Sequence, residues 1–259
     1  VALTDSGKIV EAQQALEQAQ LASQEVVAQT ALRFKSLQQI AAAVAHQLRN
    51  PTTIIGGLAG LLRKAPSPRQ NYLEYLDGII TAARRIERIA KSVNDYSRIH
   101  LGEVCVVPAG DMLTAGREAG ETLAGQLGRV VDWVIEGGQT PLLADPALLA
   151  MAVREVVANA VEALPEQGGR VSLSAGKNDC GSFIAVSDNG RGIPAEEQPF
   201  LLAPVYTTQS VGGGMGLTKA RRAMEEHGGT IAVSSSPGVG TTVTLTVPAT
   251  LPQTPPIMG

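Results

Sequence analysis

Hydrophobic residues recur every seven positions through roughly the first third of the chain. One position of this repeat is occupied by Val27, Phe34, Ala41, Leu48, Ile55 and Leu62. The other is occupied by Leu37, Val44, Pro51 and Leu58. The segment from Ala12 to Leu48 contains neither Gly nor Pro, so little opposes helix formation there. The pattern predicts a long helix carrying the apolar seam of a coiled coil or helix bundle.

A second helix is predicted after a break in the repeat. The prolines within Lys64–Arg69 end the first helix. The apolar repeat then resumes at Tyr72, Leu76, Ile79, Ala83, Ile86, Ala90 and Val93. The two helices would form a hairpin, which buries little apolar surface by itself. Because two hairpins can close a four-helix bundle, the sequence predicts a homodimer.

The pattern changes after Leu101, where short β-rich runs alternate with helical stretches. The predicted strands are Val104–Val107, Val130–Ile135, Val171–Ala175, Phe183–Ser187, Thr230–Ser234 and Thr242–Val247. The predicted helices are Asp111–Leu127, Pro146–Leu164 and Gly216–His227. This order favours an α/β domain with helices on one face of a mixed sheet. Gly190–Gly214 is predicted to be a long functional loop, and the proline-rich residues 251–259 a disordered tail.

Composition excludes several classes of function. The 259 residues carry a net charge of −3 and only 3% aromatic residues, which argues against a nucleic-acid-binding protein. Cys105 and Cys180 form neither a metal-ligand cluster nor a disulfide framework, which fits a reducing compartment. No apolar run approaches the ~20 residues needed to cross a bilayer. Because the first residue is Val1, we expect a fragment of a longer chain.

His46 is the candidate nucleophile of the helical half. The repeat places it on the side of the helix farthest from the seam, in contact with water, and Pro51 follows five residues later. An exposed imidazole can accept a phosphoryl group covalently. The helix taken alone favours a surface histidine that takes no part in chemistry.

Three glycine clusters mark the second half as a ligand-binding domain. They are Asp188-Asn-Gly-Arg-Gly-Ile-Pro194 after a predicted strand, Gly212-Gly-Gly-Met-Gly-Leu217 at a helix start, and Gly238-Val-Gly-Thr241 between two strands. Glycine lets the backbone approach a ligand closely, and a helix N-terminus attracts phosphate. Each cluster alone is weak, and none has the spacing of a P-loop or of a dinucleotide-binding fingerprint.

Glu155 and Asn159 add polar groups to one helix face. They lie four residues apart, beside the apolar stripe of the helix. An acid and an amide so placed could hold Mg²⁺ together with phosphate oxygens. A solvated helix face explains the same pattern.

The order of these motifs resembles the kinase core of bacterial two-component sensor histidine kinases, from roughly Leu32 to Val247. Ala45-His-Gln-Leu-Arg-Asn-Pro51 resembles the phosphoacceptor box, and Arg154–Ala163 the N box. The first and second glycine boxes correspond to Asp188–Ile193 and Gly212–Leu217, with the lid box Ala203–Thr208 between them. His227-Gly-Gly229 and Pro237–Thr241 match the closing part of the domain.

The resemblance implies a division into four parts. Residues 1–31 would be a signalling helix and 32–101 a dimerisation and histidine phosphotransfer domain. Residues 102–250 would be a catalytic ATP-binding domain of the Bergerat fold, followed by the tail 251–259. An upstream sensor is expected to lie outside this chain. The expected location is the cytoplasm, either free or as the cytoplasmic portion of a membrane-bound sensor.

The resemblance also implies the reaction and its residues. His46 would attack the γ-phosphoryl group of ATP and then pass it to an aspartate on the receiver domain of a response regulator. Asp188 would accept a hydrogen bond from the adenine amino group, and Asn159 would ligate Mg²⁺. The remaining nucleotide contacts implied are Gly190, Gly192, Thr208, Gly212, Gly214, Met215, Gly216, Leu217 and Thr241.

Three positions depart from the family pattern. Gln47 stands where an acid usually follows the histidine, and an amide cannot act as a general base. Glu155 stands where Asn is frequent, and Gln209 where the lid often has Lys. Gln47 keeps open a kinase-deficient, nucleotide-binding scaffold or a response-regulator phosphatase, in which Asn50 would orient the hydrolytic water. Glu155 keeps open an ATPase, although such enzymes lack the His46 helix.

Overall fold

The computed structural model describes residues 44–63, 71–201 and 215–250, together with Val27, Gln38, Ala41 and Ala42. The expected break at Lys64–Arg69, nearly all of the expected helix 1–31 and the tail 251–259 therefore lie outside the described residues. So do Thr208, Gln209, Gly212 and Gly214. None of the helices in the described part is both long and apolar enough to cross a lipid bilayer.

The first part of the chain is a helical hairpin. Helix α1 is helical throughout residues 44–63, and α2 spans Tyr72–Ser97. Helix α1 continues through Pro51, where the Thr52 and Thr53 hydroxyls donate to the carbonyl oxygens of Leu48 (2.6 Å) and Arg49 (2.8 Å). Side-chain bonds of this kind accompany bends in helices.

The apolar stripe of α2 is wider than the counted repeat. Ala82 and Ile89 are the buried side chains of this helix, and Leu76, Ile79, Ile86 and Val93 of the predicted repeat are partly buried. Ala83 and Ala90, which the repeat also included, are exposed in the single chain. A helix in a bundle presents an apolar stripe about 100° wide rather than a single line.

The second part contains seven strands and three α-helices among the described residues. The strands are β1 Cys105–Pro108, β2 Val131–Glu136, β3 Pro141–Ala144, β4 Gly169–Asn178, β5 Gly181–Asp188, β6 Thr230–Ser236 and β7 Gly240–Val247. The helices are α3 Ala109–Gln126, α4 Pro146–Ala163 and α5 Gly216–Glu226, with a short 3₁₀ turn at Gln198–Phe200. Strand β3 is not among the predicted strands, since Pro-Leu-Leu-Ala contains no β-branched residue.

The main sheet has the strand order β2-β4-β5-β7-β6. Only β2 and β4 are parallel; the other neighbours are antiparallel. Strands β1 and β3 form a separate antiparallel pair. Alternate residues of the central strands, such as Leu173, Ile184 and Leu245, are buried in one core with the apolar face of α4. The predicted fold, a helical hairpin followed by a mixed α/β sheet, is confirmed.

Asp145 joins the linker after α2 to this core. One carboxylate oxygen caps α4 by accepting from the amides of Ala147 (2.9 Å) and Leu148 (3.1 Å). The other accepts from the Gly102 amide at 2.8 Å. The Asp145 amide donates to Nε2 of the fully buried His227 at 2.9 Å, so the ring proton lies on Nδ1. The α4 start, the α5 end and the linker are thereby held together.

Candidate functional site

A cavity of about 690 Å³ lies between α4, the loop after β5 and the start of α5. Its size is in the range of small-molecule sites, about 300–1,000 Å³. Eight of the residues predicted to bind nucleotide or act in catalysis line it: Glu155, Asn159, Asp188, Gly192, Met215, Gly216, Leu217 and Thr241. These residues are up to 86 positions apart in sequence, and the fold brings them together.

Asp188 is the carboxylate at the end of β5. Its Oδ1 accepts from the Gly190 amide at 2.8 Å, and Asp188 pairs with Thr241 across β5 and β7. Burial raises the pKa of Asp188 above 3.8, and hydrogen bonds from the Gly190 and Thr241 backbone partly oppose that rise. The carboxylate is fixed from one side and faces the cavity, as recognition of an amino group requires.

The loop after β5 depends on glycine at two positions. Gly192 has φ +65°, and a β-carbon there would lie 2.0 Å from the Ser236 carbonyl oxygen. A β-carbon on Gly190 would lie 2.5 Å from the Ala163 carbonyl oxygen. Both contacts are too short for any side chain, so the loop lies close against α4 and the end of β6. The Ser235 hydroxyl holds it there by accepting from the Ile193 amide at 2.9 Å.

Polar side chains from α4 and α5 meet at the other end of the cavity. Lys219 forms an ion pair with Glu155, and both side chains are mostly buried, at 13% and 25% exposure. A β-carbon on Gly216 would lie 3.1 Å from the Glu155 carboxylate and 3.2 Å from the Asn159 amide. The start of α5 therefore lies directly on the two α4 side chains that the sequence analysis singled out.

Asn159 brings an unsatisfied amide to the cavity. Its Nδ2 atom is buried and lacks a hydrogen-bond partner, although buried amides are normally satisfied. This atom is a donor and suits an acceptor oxygen of a ligand, whereas a metal ion would have to bind the side-chain oxygen of Asn159. Within the described residues, no cluster of three or more His, Cys, Asp or Glu could hold a metal ion by itself. Mg²⁺ commonly binds through one or two protein oxygens together with substrate phosphates, and the Asn159 oxygen could contribute to such a site, while the Glu155 carboxylate is paired with Lys219.

Several charged residues of the cavity were not predicted as site residues, among them Glu162 and Arg191. Glu162 lies one turn after Asn159, and Arg191 lies in the first glycine cluster. Burial raises the pKa of Glu162; Arg129 lowers it, Glu155 raises it and Arg191 lowers it, in decreasing order of effect. Glu162 could have been found from its spacing to Glu155 and Asn159, whereas no sequence signal links Arg191 to it.

His46, Gln47 and Asn50 lie on α1 and do not line the cavity. His46 and Asn50 are exposed, as the repeat predicted for His46, and Gln47 is half-buried. Gly190 is buried behind Asp188 rather than in the cavity wall. The structure therefore separates the proposed acceptor from the proposed nucleotide site within this chain.

Two domain families match the chain. Residues 36–102 match the His Kinase A (phospho-acceptor) domain. Residues 144–251 match the histidine kinase-, DNA gyrase B- and HSP90-like ATPase domain. The first match contains α1, α2 and His46, and the second contains the elements that build most of the cavity.

Curated relatives are sensor kinases. The chain is 31% identical over 218 residues to the signal transduction histidine-protein kinase AtoS of Escherichia coli (strain K12), covering 83% of this chain and 35% of AtoS. It is 30% identical to sporulation kinase B of Bacillus subtilis (strain 168), covering 83% of this chain and 50% of that kinase. The chain thus spans between a third and a half of these relatives.

Solved structures support the fold. The crystal structure of the histidine kinase ThkA in complex with the response regulator protein TrrA aligns with a TM-score of 0.65 at 24% identity, covering 84% of this chain and 63% of that one. At this identity the likeness concerns the fold alone. The two domain matches and the curated relatives lead to one conclusion: the chain belongs to the two-component sensor histidine kinases, whose kinase core it carries.

Proposed function

We propose that this chain is an ATP-dependent protein histidine kinase that phosphorylates His46. The observation that carries the proposal is the cavity in which Asp188, Asn159 and Gly216 converge, in a chain that also presents His46 on an exposed helix surface. Asp188 accepts from the adenine amino group, and the α5 start, with Met215, Gly216 and Leu217, faces the phosphates. Phosphoryl transfer depends mainly on such positioning and on charge neutralisation.

The acceptor chemistry follows from the imidazole. An unprotonated ring nitrogen of His46 forms a bond to the γ-phosphorus, the bond to the bridging oxygen breaks, and ADP leaves with the electron pair. The proton on the other ring nitrogen passes to solvent, since the Gln47 amide can accept a hydrogen bond from it but cannot take it. Mg²⁺ bound at Asn159 would supply charge neutralisation to the phosphates.

Movement between the two domains is part of the proposal. Residues of α2 line the cavity but His46 does not, so a further adjustment of the ATP-binding domain on the hairpin must bring the γ-phosphate to His46 before transfer. Rigid-body domain movements of this kind are common in switching proteins.

We propose that the dimerisation and phosphotransfer domain spans residues 32–101 and the ATP-binding domain residues 102–250. We also propose that both domains lie in the cytoplasm.

We further propose that the hairpin dimerises. Ile54 and Leu61 of α1 are 49% and 50% exposed, and Leu73 and Ile80 of α2 are 75% and 45% exposed. Members of each pair are seven residues apart, so each helix carries an uncovered apolar stripe. A second hairpin would cover both stripes in a four-helix bundle. Light scattering should give twice the chain mass of 26.9 kDa.

The phosphoryl group is proposed to pass to an aspartate on the receiver domain of a response regulator. Gln47 favours a second candidate, a regulator phosphatase or nucleotide-binding scaffold with little kinase activity. In the phosphatase, Asn50, one turn after His46 and exposed, would orient the attacking water. Asn50→Ala should then abolish phosphatase activity and spare autophosphorylation, and equal loss of both would contradict this role.

Incubation with γ-labelled ATP and Mg²⁺ tests the main proposal. Acid-labile label should appear on the protein and disappear in His46→Ala. Gln47→Glu should label faster because it restores a proton acceptor. Labelling of Gln47→Glu but not of the unaltered chain would favour the second candidate. Nucleotide binding without labelling of either protein would refute the kinase proposal, and release of free phosphate alone would indicate an ATPase.

A further inference from the structure

One wall of the nucleotide cavity comes from the helical hairpin rather than from the ATP-binding domain. Four residues of α2 line the same cavity as Asp188 and Gly216, namely Arg88, Lys91, Ser92 and Asp95. Their spacings of three, four and seven residues place them on one face of the helix. The opening of the cavity therefore faces a defined segment of α2.

That segment lies level with His46. A β-carbon on Gly78 would lie 2.5 Å from Leu58 Cδ1, so these residues of α2 and α1 are neighbours. Both helices rise by about 1.5 Å per residue and run antiparallel in the hairpin. Twelve residues back from Leu58 is His46, and twelve residues forward from Gly78 is Ala90, next to Lys91. Lys91 and the acceptor histidine thus lie at the same height along the hairpin, on neighbouring helices.

Lys91 is also the lysine of the cavity that has no ion-pair partner among the described residues. Of the two lysines that line it, Lys219 is paired with Glu155. Lys91 takes part in no ion pair or hydrogen bond found within the described part of the chain. A free ammonium beside a site for a triphosphate is a strong electrostatic partner for it.

We propose that Lys91 binds the terminal phosphate of ATP and neutralises its charge during transfer to His46. This inference rests on the proposed kinase function. The ammonium stays protonated throughout. It interacts with the non-bridging oxygens while the imidazole nitrogen forms its bond to phosphorus and ADP leaves with the bridging oxygen. Because Lys91 belongs to the hairpin, the contact exists only when the ATP-binding domain is docked level with His46. Tight binding of ATP is thereby coupled to the docked arrangement.

The test compares Lys91→Ala, Lys91→Arg and the control Arg84→Ala in the full chain. Arg84 lies seven residues before Lys91, on the same face of α2, but is outside the lining of this cavity. The measurements are the autophosphorylation rate at saturating ATP, the KM for ATP, and the dissociation constants of ATP, ADP and adenosine. Lys91→Ala should slow labelling at least tenfold and weaken ATP binding more than ADP binding, leaving adenosine binding unchanged. Lys91→Arg should recover most of the rate, and Arg84→Ala should behave as the unaltered chain.

Three results would overturn the inference. The first is a Lys91→Ala protein that labels at the unaltered rate. The second is an equal loss of ATP, ADP and adenosine binding, which would indicate damage to the site rather than a lost phosphate contact. The third is an equal effect of Arg84→Ala, which would indicate a general effect of charge on α2. If the unaltered chain binds ATP and becomes labelled, and Lys91→Ala does so equally well, only the role of Lys91 is rejected. An unaltered chain that does neither rejects the kinase function and this inference with it.

Discussion

The ion pair between Lys219 and Glu155 should control both stability and nucleotide binding. It joins α5 to α4 at the end of the cavity where we propose that the phosphates bind, with both side chains mostly buried. Lys219→Met keeps the length of the side chain and removes its charge. The Glu155 carboxylate would then remain in a cavity that also holds the carboxyl groups of Glu162 and Asp188. We expect a loss of stability and weaker ATP binding.

The magnitude follows from the burial of the pair. Two unit charges about 4 Å apart attract by roughly 4 kcal/mol at an effective dielectric constant near 20. Removing one partner of a fully buried pair costs about 3–5 kcal/mol, because the other charge is left unpaired. The Glu155 side chain keeps 25% of its exposure, so water compensates part of that loss. We therefore expect Lys219→Met to lower the free energy of unfolding by about 2 kcal/mol.

Urea unfolding of four proteins isolates the pair: the unaltered chain, Lys219→Met, Glu155→Gln and the double variant. The double variant should recover at least half of the loss, since it leaves no buried charge unpaired. Arg221→Ala is the matched control on α5. Its ion pair with Glu225 leaves both side chains nearly half exposed, so removing it should cost only about 0.3–0.5 kcal/mol. Titration with ATP should show the same order of variants.

Two results would refute this reasoning. A Lys219→Met protein within about 0.5 kcal/mol of the unaltered chain would show that the pair is as weak as an exposed one. A double variant that loses the sum of both single losses would show that the two side chains act independently. If stability follows the prediction but ATP affinity does not change, the pair is structural and lies outside the phosphate site.

Three further predictions concern the same site. ATP binding should weaken as the pH falls through the pKa of Asp188, which is raised above 3.8, because a protonated carboxyl accepts a hydrogen bond from adenine less strongly. In calorimetric titration, Asp188→Asn should remove this pH dependence. A midpoint at or below pH 3.8 would contradict the prediction. The same raised pKa means that the folded state holds the proton more tightly, so this group lowers stability as the pH rises through that window. Gly192→Ala should abolish ATP binding, because its β-carbon would lie 2.0 Å from the Ser236 carbonyl oxygen. It should also destabilise the domain by more than about 1 kcal/mol, the usual cost of placing a side chain at positive φ. ATP binding as tight as that of the unaltered chain would contradict this contact. Asp145→Ala should lower the free energy of unfolding by about 1–2 kcal/mol, the usual cost of a lost N-cap. It should also increase hydrogen exchange at the Gly102 amide, which donates to the Asp145 carboxylate at 2.8 Å. Unchanged exchange at that amide would show that the linker is held by other contacts.

The helical hairpin was largely predictable, because a heptad repeat is a local property of the sequence. The repeat predicted the helices α1 and α2 and the exposure of His46, and the structure shows all three. It could not decide which positions of α2 are buried most deeply, and these are Ala82 and Ile89, while Ala83 and Ala90 of the repeat are exposed. That choice depends on how two stripes pack against each other.

The ATP-binding domain was predictable in its elements and less so in its pairing. Strand composition revealed six strands, whereas β3 was found only in the structure, since its pairing with β1 and not its own composition makes it a strand. The order β2-β4-β5-β7-β6 and the single parallel pair likewise result from contacts between distant segments.

For the site, the sequence indicates the candidate groups, whereas the fold brings groups that are far apart in the sequence into one cavity. Asp188, Asn159 and Gly216 could be selected because the order of their motifs along the chain resembles that of the sensor histidine kinases, although each motif alone is weak. The pairing of Lys219 with Glu155 and the approach of Lys91 to the cavity could not be selected, since lysines on a helix surface have the same sequence pattern whether they bind water, a carboxylate or a phosphate. Their roles depend on which element packs opposite them, and that is settled by the burial of apolar faces far away in the sequence.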